Sequence, residues 1–292
     1  MKMEYILHLL IMIAIYTILV VSLDLIAGYT GLLSIAHAAF YGIGAYVTAL
    51  LSIHFRTQLP LNVMASAIVA AFLGVIFAVP LLRLRDDYFV VATLGFQMIL
   101  YNIFNNWVGL TGGPLGLPGI PKAILLGTRI DTSPKFLIVA AGLALMVYFV
   151  VRRLVRSPYG RVLKAIREDE RFAQALGKNV RWYKVQVFVV GSALAAIAGC
   201  LYAHYTTFID PTSFTVRESI LITSMVILGG AGSLRGPILG AVMLTVFPEL
   251  LRFIGFQSSV AANLRQVLYG SLLVLAMLYR PHGLMGEFGF EK

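Results

Sequence analysis

Apolar runs of about 20 residues recur along the whole chain, the length an α-helix needs to cross a hydrocarbon core. They fall at 5–27, 31–53, 61–83, 87–109, 135–152, 184–206, 236–255 and 263–280. A chain organised this way is expected to be an all-α integral membrane protein, a polytopic bundle of about eight to ten spans. A further run, Ser219 to Gly230, is too short to cross comfortably and ends in the broken sequence GGAGSLRG. It reads as a re-entrant or discontinuous helix, which membranes tolerate where protein or a water-filled cavity surrounds the free backbone.

Composition agrees. The 292 residues are 59% hydrophobic and 12% charged, with a mean hydropathy of +0.87, against the roughly 45–50% apolar content of soluble domains. The net charge of +10 does not point to nucleic acid, because such binding needs Lys and Arg spread over a soluble face. Here the basic residues lie between apolar runs, as expected of loops retained on the cytoplasmic side. The single Cys200 excludes an intrachain disulfide and any Cys-based metal cluster. Lys2 followed by the run Ile6 to Val21 has no small-x-small cleavage site before Asp24, so a retained first helix is expected.

One strongly polar island interrupts the pattern. Residues 152–184 hold ten of the 23 Lys and Arg residues against Glu168, Asp169 and Glu170. Placing them in the cytoplasm puts residues 110–134, with Lys122, Arg129 and Asp131, on the outer side. The C-terminal YRPHGLMGEFGFEK then falls in the cytoplasm if Ser219 to Gly230 counts as a span. Within the island Ser157-Pro158 has the form of an N-cap followed by proline at the first helical position. Gly177 suits the left-handed residue that closes a helix. One amphipathic helix is therefore expected over 157–177, with Val162, Ile166, Ala173 and Leu176 on one face and Arg161, Lys164, Arg167 and Arg171 on much of the rest. Such a helix could lie on anionic lipid or dock on a soluble partner.

Enzyme chemistry is not indicated. There is no HExxH, CxxC or G-x-S-x-G sequence, and the glycine-rich Gly230–Gly236 stretch lacks the GK[ST] ending of a phosphate-binding loop. Asp24, His37, His204 and Glu249 fall in or near spans, where a charge at the bilayer centre costs about 2.5–3.5 kcal/mol. Two broken stretches, Gly28 to Ser34 and Gly229 to Gly236, read either as tight turns or as the paired helix interruptions that mark a transporter's route. Small residues four apart, namely Ser34, Ala38 and Gly42, Ala195 and Gly199, and Gly236 and Gly240, read as helix-packing stripes.

Taken together, GYTGLLSIAHAAFYGIGAY (28–46), DYFVVATLGF (87–96), LTGGPLGLPGIP (110–121), SPYGRVLKAIREDERFAQALGKNV (157–180), MVILGGAGSLRGPILGA (225–241) and RPHGLMG (280–286) resemble the permease subunits of branched-chain amino acid ABC transporters, the LivM type in particular. The resemblance covers nearly the whole length and implies a single transmembrane permease domain, 1–292, in a bacterial or archaeal inner (plasma) membrane. It implies four kinds of contact: a homologous second permease, two ATP-binding subunits, a periplasmic or extracellular substrate-binding protein, and the lipid bilayer. No cofactor is expected in this chain, since ATP and Mg would be held by the ATP-binding subunits.

The segment at 157–180 corresponds to the cytoplasmic loop that touches those subunits. Alignment on Gly177 puts the Glu-Ala-Ala of the general motif at Arg171, Phe172 and Ala173, so this chain keeps only Ala173 and Gly177. Polar contacts are expected instead from Arg167, Glu168, Asp169 and Glu170, with Phe172 as an apolar knob. Gly160, Arg161 and Ala165 complete the expected coupling surface. Ser34, His37, Thr93 and Arg235 are candidates for the substrate route from their position and polarity. The resemblance implies branched-chain amino acids as cargo, with urea or a short amide as the alternative and an ion-coupled transporter working alone as the less favoured one.

Overall fold

A computed structural model describes residues 2–84, 86–125, 127–252, 270–271, 274 and 283–285. Among them six helices are long and apolar enough to cross a membrane. These are α1 (Lys2–Thr30), α2 (His37–Phe55), α3 (Leu59–Leu81), α4 (Asp86–Asn106), then, after the short α5 (Val108–Thr111), α6 (Ser133–Arg156), and, beyond the polar island, α9 (Val180–Thr206). The island forms α7 (Pro158–Glu168) and α8 (Glu170–Ala175); the chain after α9 forms α10 (Val216–Gly229) and α11 (Gly236–Arg252). The seventh apolar window is thus met by α11, and the eighth, 263–280, lies almost wholly outside the described residues, as does the side chain of Glu249.

Helix α9 is the hub, packed against α1, α2 and α3. Small residues let the backbones meet. A Cβ on Gly44 would collide with the Ala196 carbonyl, and one on Gly199 with the carbonyl of Tyr41, so α2 and α9 approach as closely as helices can. Lipid tails give helices no hydrophobic reason to associate, and such close van der Waals contact replaces it. The α10–α11 pair repeats the device, with Gly240 against Met225 and Gly236 against Gly229.

The end of α9 away from the island carries a cap of short strands. There Leu117–Pro118 (β1) pairs antiparallel with Phe208–Ile209 (β4), and Ile124–Leu125 (β2) forms a hairpin with Thr128–Arg129 (β3). The Ile120 amide donates to Thr207 O at 3.0 Å. His204 near the end of α9 ties this cap to the bundle, its Nδ1 2.9 Å from Pro121 O and its Nε2 3.0 Å from Asn62 Nδ2.

One helix, α2, begins inside the bundle rather than at its surface. Gly31, at φ 73°, ends α1, and residues 31–36 double back so that His37, the first residue of α2, lies beside Ser22. After β4 comes a 3-10 turn, Pro211–Phe214, whose Phe214 ring is buried among Tyr41, Tyr46 and Phe104 before α10 starts. The short run at Ser219 to Gly230 lies in a half-length helix, α10, whose first turn is exposed at Arg217 and becomes buried at Ser219. Its far end is braced by the C-terminal segment, whose Leu284 and Met285 amides donate to Leu228 O and Gly229 O at 3.0 and 2.9 Å.

Candidate functional site

Helix α1 acts as a rail on which the irregular parts of the protein line up. Tyr16 donates to Glu218 of α10 at 2.8 Å, Ser22 Oγ lies 2.7 Å from His37 Nε2, Asp24 accepts from the Gly232 amide at 2.7 Å, and Gly28 O accepts from Arg167. At 1.5 Å per residue these contacts are spread over roughly 18 Å of helix.

At the buried start of α2 the backbone must find partners without water, since the first N–H groups of a helix have no partner within it, and so must the carbonyl of buried Phe214 before α10. Helix α4 supplies most of them. Thr93 Oγ1 accepts from the Ile35 amide at 3.1 Å, and one turn later Gln97 Oε1 accepts from the Ala39 amide at 2.7 Å. The Gln97 Nε2 donates to Phe214 O at 2.7 Å. Ser219 closes the set, accepting from the Ala38 amide at 3.0 Å and donating to Gln97 Oε1 at 3.2 Å. One glutamine thereby holds the start of α2 and the turn leading into α10 at once, with every polar atom of its amide used.

Ser34, His37 and Thr93, expected from the sequence along the substrate route, are all buried and gathered around this crossing. Ser34 Oγ accepts from the Ala36 amide at 3.3 Å. Arg235 is elsewhere, exposed in the turn between α10 and α11. Gln97, Ser219, Glu218 and Tyr16 were not singled out by the sequence. The signal for Gln97 was its position four residues after Thr93, which puts both on one face of α4.

The two broken stretches meet. Asp24, fully buried, bonds the Gly232 amide, and a Cβ on Gly28 would strike both the Asp24 carboxyl and the Gly232 backbone. Both stretches are therefore parts of one junction rather than separate surface turns.

The island is two helices, not the one helix expected over 157–177. Asp169 breaks it, because its carboxylate accepts from the Arg171 and Phe172 amides at 2.9 and 3.0 Å and so caps α8. Ser157 precedes α7 but its hydroxyl donates back to Leu154 O at 2.6 Å instead of capping. Gly177, at φ 77°, ends α8, with its own amide donating to Gln174 O and that of Lys178 to Ala173 O, the paired bonds of a Schellman motif. Gly160 is buried where a Cβ would strike the Val155 carbonyl, so α7 folds tightly onto the end of α6.

Of the expected inner face, Ile166 and Ala173 are buried and Val162 packs against them, and Val180, at the start of α9, completes the cluster. Leu176 departs from it and is 62% exposed, because α8 restarts the helical phase and ends before that residue. Phe172, at 61%, and Trp182, at 58%, are also turned outward. Arg161, Glu168 and Asp169 are exposed, Ala165 half-buried. Glu170 pairs with Lys184 at 2.6 Å, and Lys164 stands 5.7 Å over the Tyr29 ring. Arg167 turns inward to Gly28 O; burial draws its pKa down, while Asp24, Tyr29 and Glu168 favour its charge.

The fold and these junctions define a multi-pass helical membrane protein, built around interrupted helices and one structured polar segment. The sequence pattern of the family described as "Branched-chain amino acid transport system / permease component" matches residues 5–277, and the chain belongs to that family. It is 37% identical over 93% of its length, and 68% of the relative's, to the high-affinity branched-chain amino acid transport system permease protein LivM of Escherichia coli. The probable LivM permease of Methanocaldococcus jannaschii is 29% identical over 78% of this chain and 68% of its own. The E. coli LivH permease is 24% identical over 95% of this chain and 93% of its own. No solved structure matches the chain.

Proposed function

We propose that this chain is a single-domain permease subunit of an ATP-driven importer of branched-chain amino acids, worked from the cytoplasm through α7 and α8 by separate ATP-binding subunits. A second permease of the same family would complete the pathway, and a soluble binding protein would deliver the amino acid from outside. The existence of both LivM and LivH relatives supports a paired permease. ATP and Mg belong to the partner subunits in this reading, and the chain itself performs no catalysis.

The observation that carries the reading is the exposed side of the polar segment. Phe172 of α8, Leu176 just after it and Trp182 in the first turn of α9 stand exposed beside the caps at Asp169 and Gly177. Exposed aromatic and aliphatic side chains on a rigid support, ringed by charge, are what a protein interface uses as anchors. The charged rim at Arg161, Glu168 and Arg171 distinguishes it from the lipid-facing helices. The test is co-purification of this chain with its ATP-binding subunits, followed by ATP-dependent leucine uptake in proteoliposomes supplied with the binding protein. Uptake by this chain alone, driven by an ion gradient, would overturn the reading.

A further inference from the structure

Helix α7 reaches the bundle at a point where three irregular segments converge. Gly28 O is among the last four carbonyls of α1, which have no partner within the helix, and the Arg167 guanidinium donates to it. Gly31 faces the Arg167 stem, where a Cβ would come within 3.5 Å. Asp24 lies one turn before Gly28 on the same face of α1. Its charge acts on Arg167, while its Oδ1 accepts from the Gly232 amide at 2.7 Å. Gly28 and Gly232 approach with no room for a Cβ between them, so the link from α7 to the α10–α11 turn consists of two side chains and touching backbone. That turn is braced from its other side by Leu284 and Met285.

We infer that Arg167 and Asp24 are positioning residues that tie the movement of α7 to the α10–α11 junction, so that a push on α7 shifts the interrupted helices of the pathway. The inference rests on the proposed driving of α7 by ATP-binding subunits. A planar guanidinium with several donors in a fixed fork resists sliding better than a single ammonium, and a backbone amide held by a buried carboxylate has no side chain to flex. The geometry therefore transmits displacement with little loss. Tight packing makes such junctions switch between discrete arrangements rather than deform gradually.

The experiment uses the assembled importer in proteoliposomes and reads leucine imported per ATP hydrolysed, with the amount of assembled complex measured separately. Arg167→Gln and Asp24→Asn should each lower that ratio by about tenfold, within the usual range of coupling between sites. The double variant should lose no more than either single one, because the two act as a unit. Arg167→Lys should recover part of the ratio. A residue needed only for folding would reduce the amount of complex and leave the ratio in assembled complexes unchanged, and that result would overturn the inference. Losses that multiply in the double variant would overturn it too. Failure of the wild-type chain to bind or respond to ATP-binding subunits would instead overturn the functional reading beneath it.

Discussion

Asp24 and Gly232, 208 positions apart in the chain, are joined by a 2.7 Å hydrogen bond from the glycine amide to the buried carboxylate. The bond gives the buried Asp24, deep within the apolar stretch of the first helix, a backbone partner. A charge at membrane depth is costly, and here it is shared between a backbone donor and the field of Arg167. It also fixes where the α10–α11 turn sits relative to the end of α1.

Gly28→Ala tests that junction directly. The added methyl would collide with the Asp24 carboxyl and the Gly232 backbone, an overpacking that typically costs about 1–3 kcal/mol. Thermal unfolding in detergent should occur at a clearly lower temperature. Gly142→Ala, where a Cβ meets nothing, should leave it unchanged.

Gln97→Leu removes the clamp between α2 and the turn before α10. It takes the partner from the Phe214 carbonyl and the acceptor from the Ser219 hydroxyl in a buried setting, at about 1–3 kcal/mol for each unsatisfied group, while the Ala39 amide keeps its bond to Ala36 O at 3.1 Å. The expected outcome is a protein that inserts but is destabilised and transports poorly, read by thermal unfolding and uptake. Unchanged unfolding would mean the two segments are held by other contacts.

Phe172→Ala and Leu176→Ala shorten side chains that are mostly exposed. Stability should stay within about 0.5 kcal/mol of the parent, as for ordinary surface substitutions. Binding of ATP-binding subunits should weaken by about 2 kcal/mol, roughly 30-fold, for a true anchor. Titration of purified subunits onto the permease measures both the loss and its absence.

Gly177→Ala acts through the backbone instead. At φ 77° a side chain is strained, and the expected cost is about 1 kcal/mol to the end of α8. Partner binding should fall modestly and in step with the local order of α8, followed by hydrogen exchange of the Gln174 to Lys178 amides.

Much of the architecture could be read from the sequence because each span carries its own signal, a run of apolar residues that needs no distant partner. The interrupted stretches at Gly28 and Gly229 were visible for the same local reason. Their contact was not, since nothing near Gly232 in sequence announces Asp24. Gln97 was missed because a lone amide in a span looks the same whether it faces a neighbour or clamps two buried backbone turns. Its partners lie 58 and 117 positions away. The island was read as one helix because Asp169 looks like one charge among many. Its capping role shows only once the Arg171 and Phe172 amides are seen to point at it. Arg167 was expected to face a partner for a related reason: its helical phase was right for solvent, and only tertiary contact with Gly28 turns it inward.

Cys200 is the one cysteine of the chain and is buried, so Phe172→Cys would place a single accessible thiol on the outer surface of α8. Cross-linking that thiol in membranes containing the ATP-binding subunits tests the central claim most directly. A cross-link to an ATP-binding subunit, with a yield that changes when ATP is added, is the predicted result. No cross-link at residue 172, together with unimpaired leucine uptake after the thiol is blocked by a bulky reagent, would contradict it.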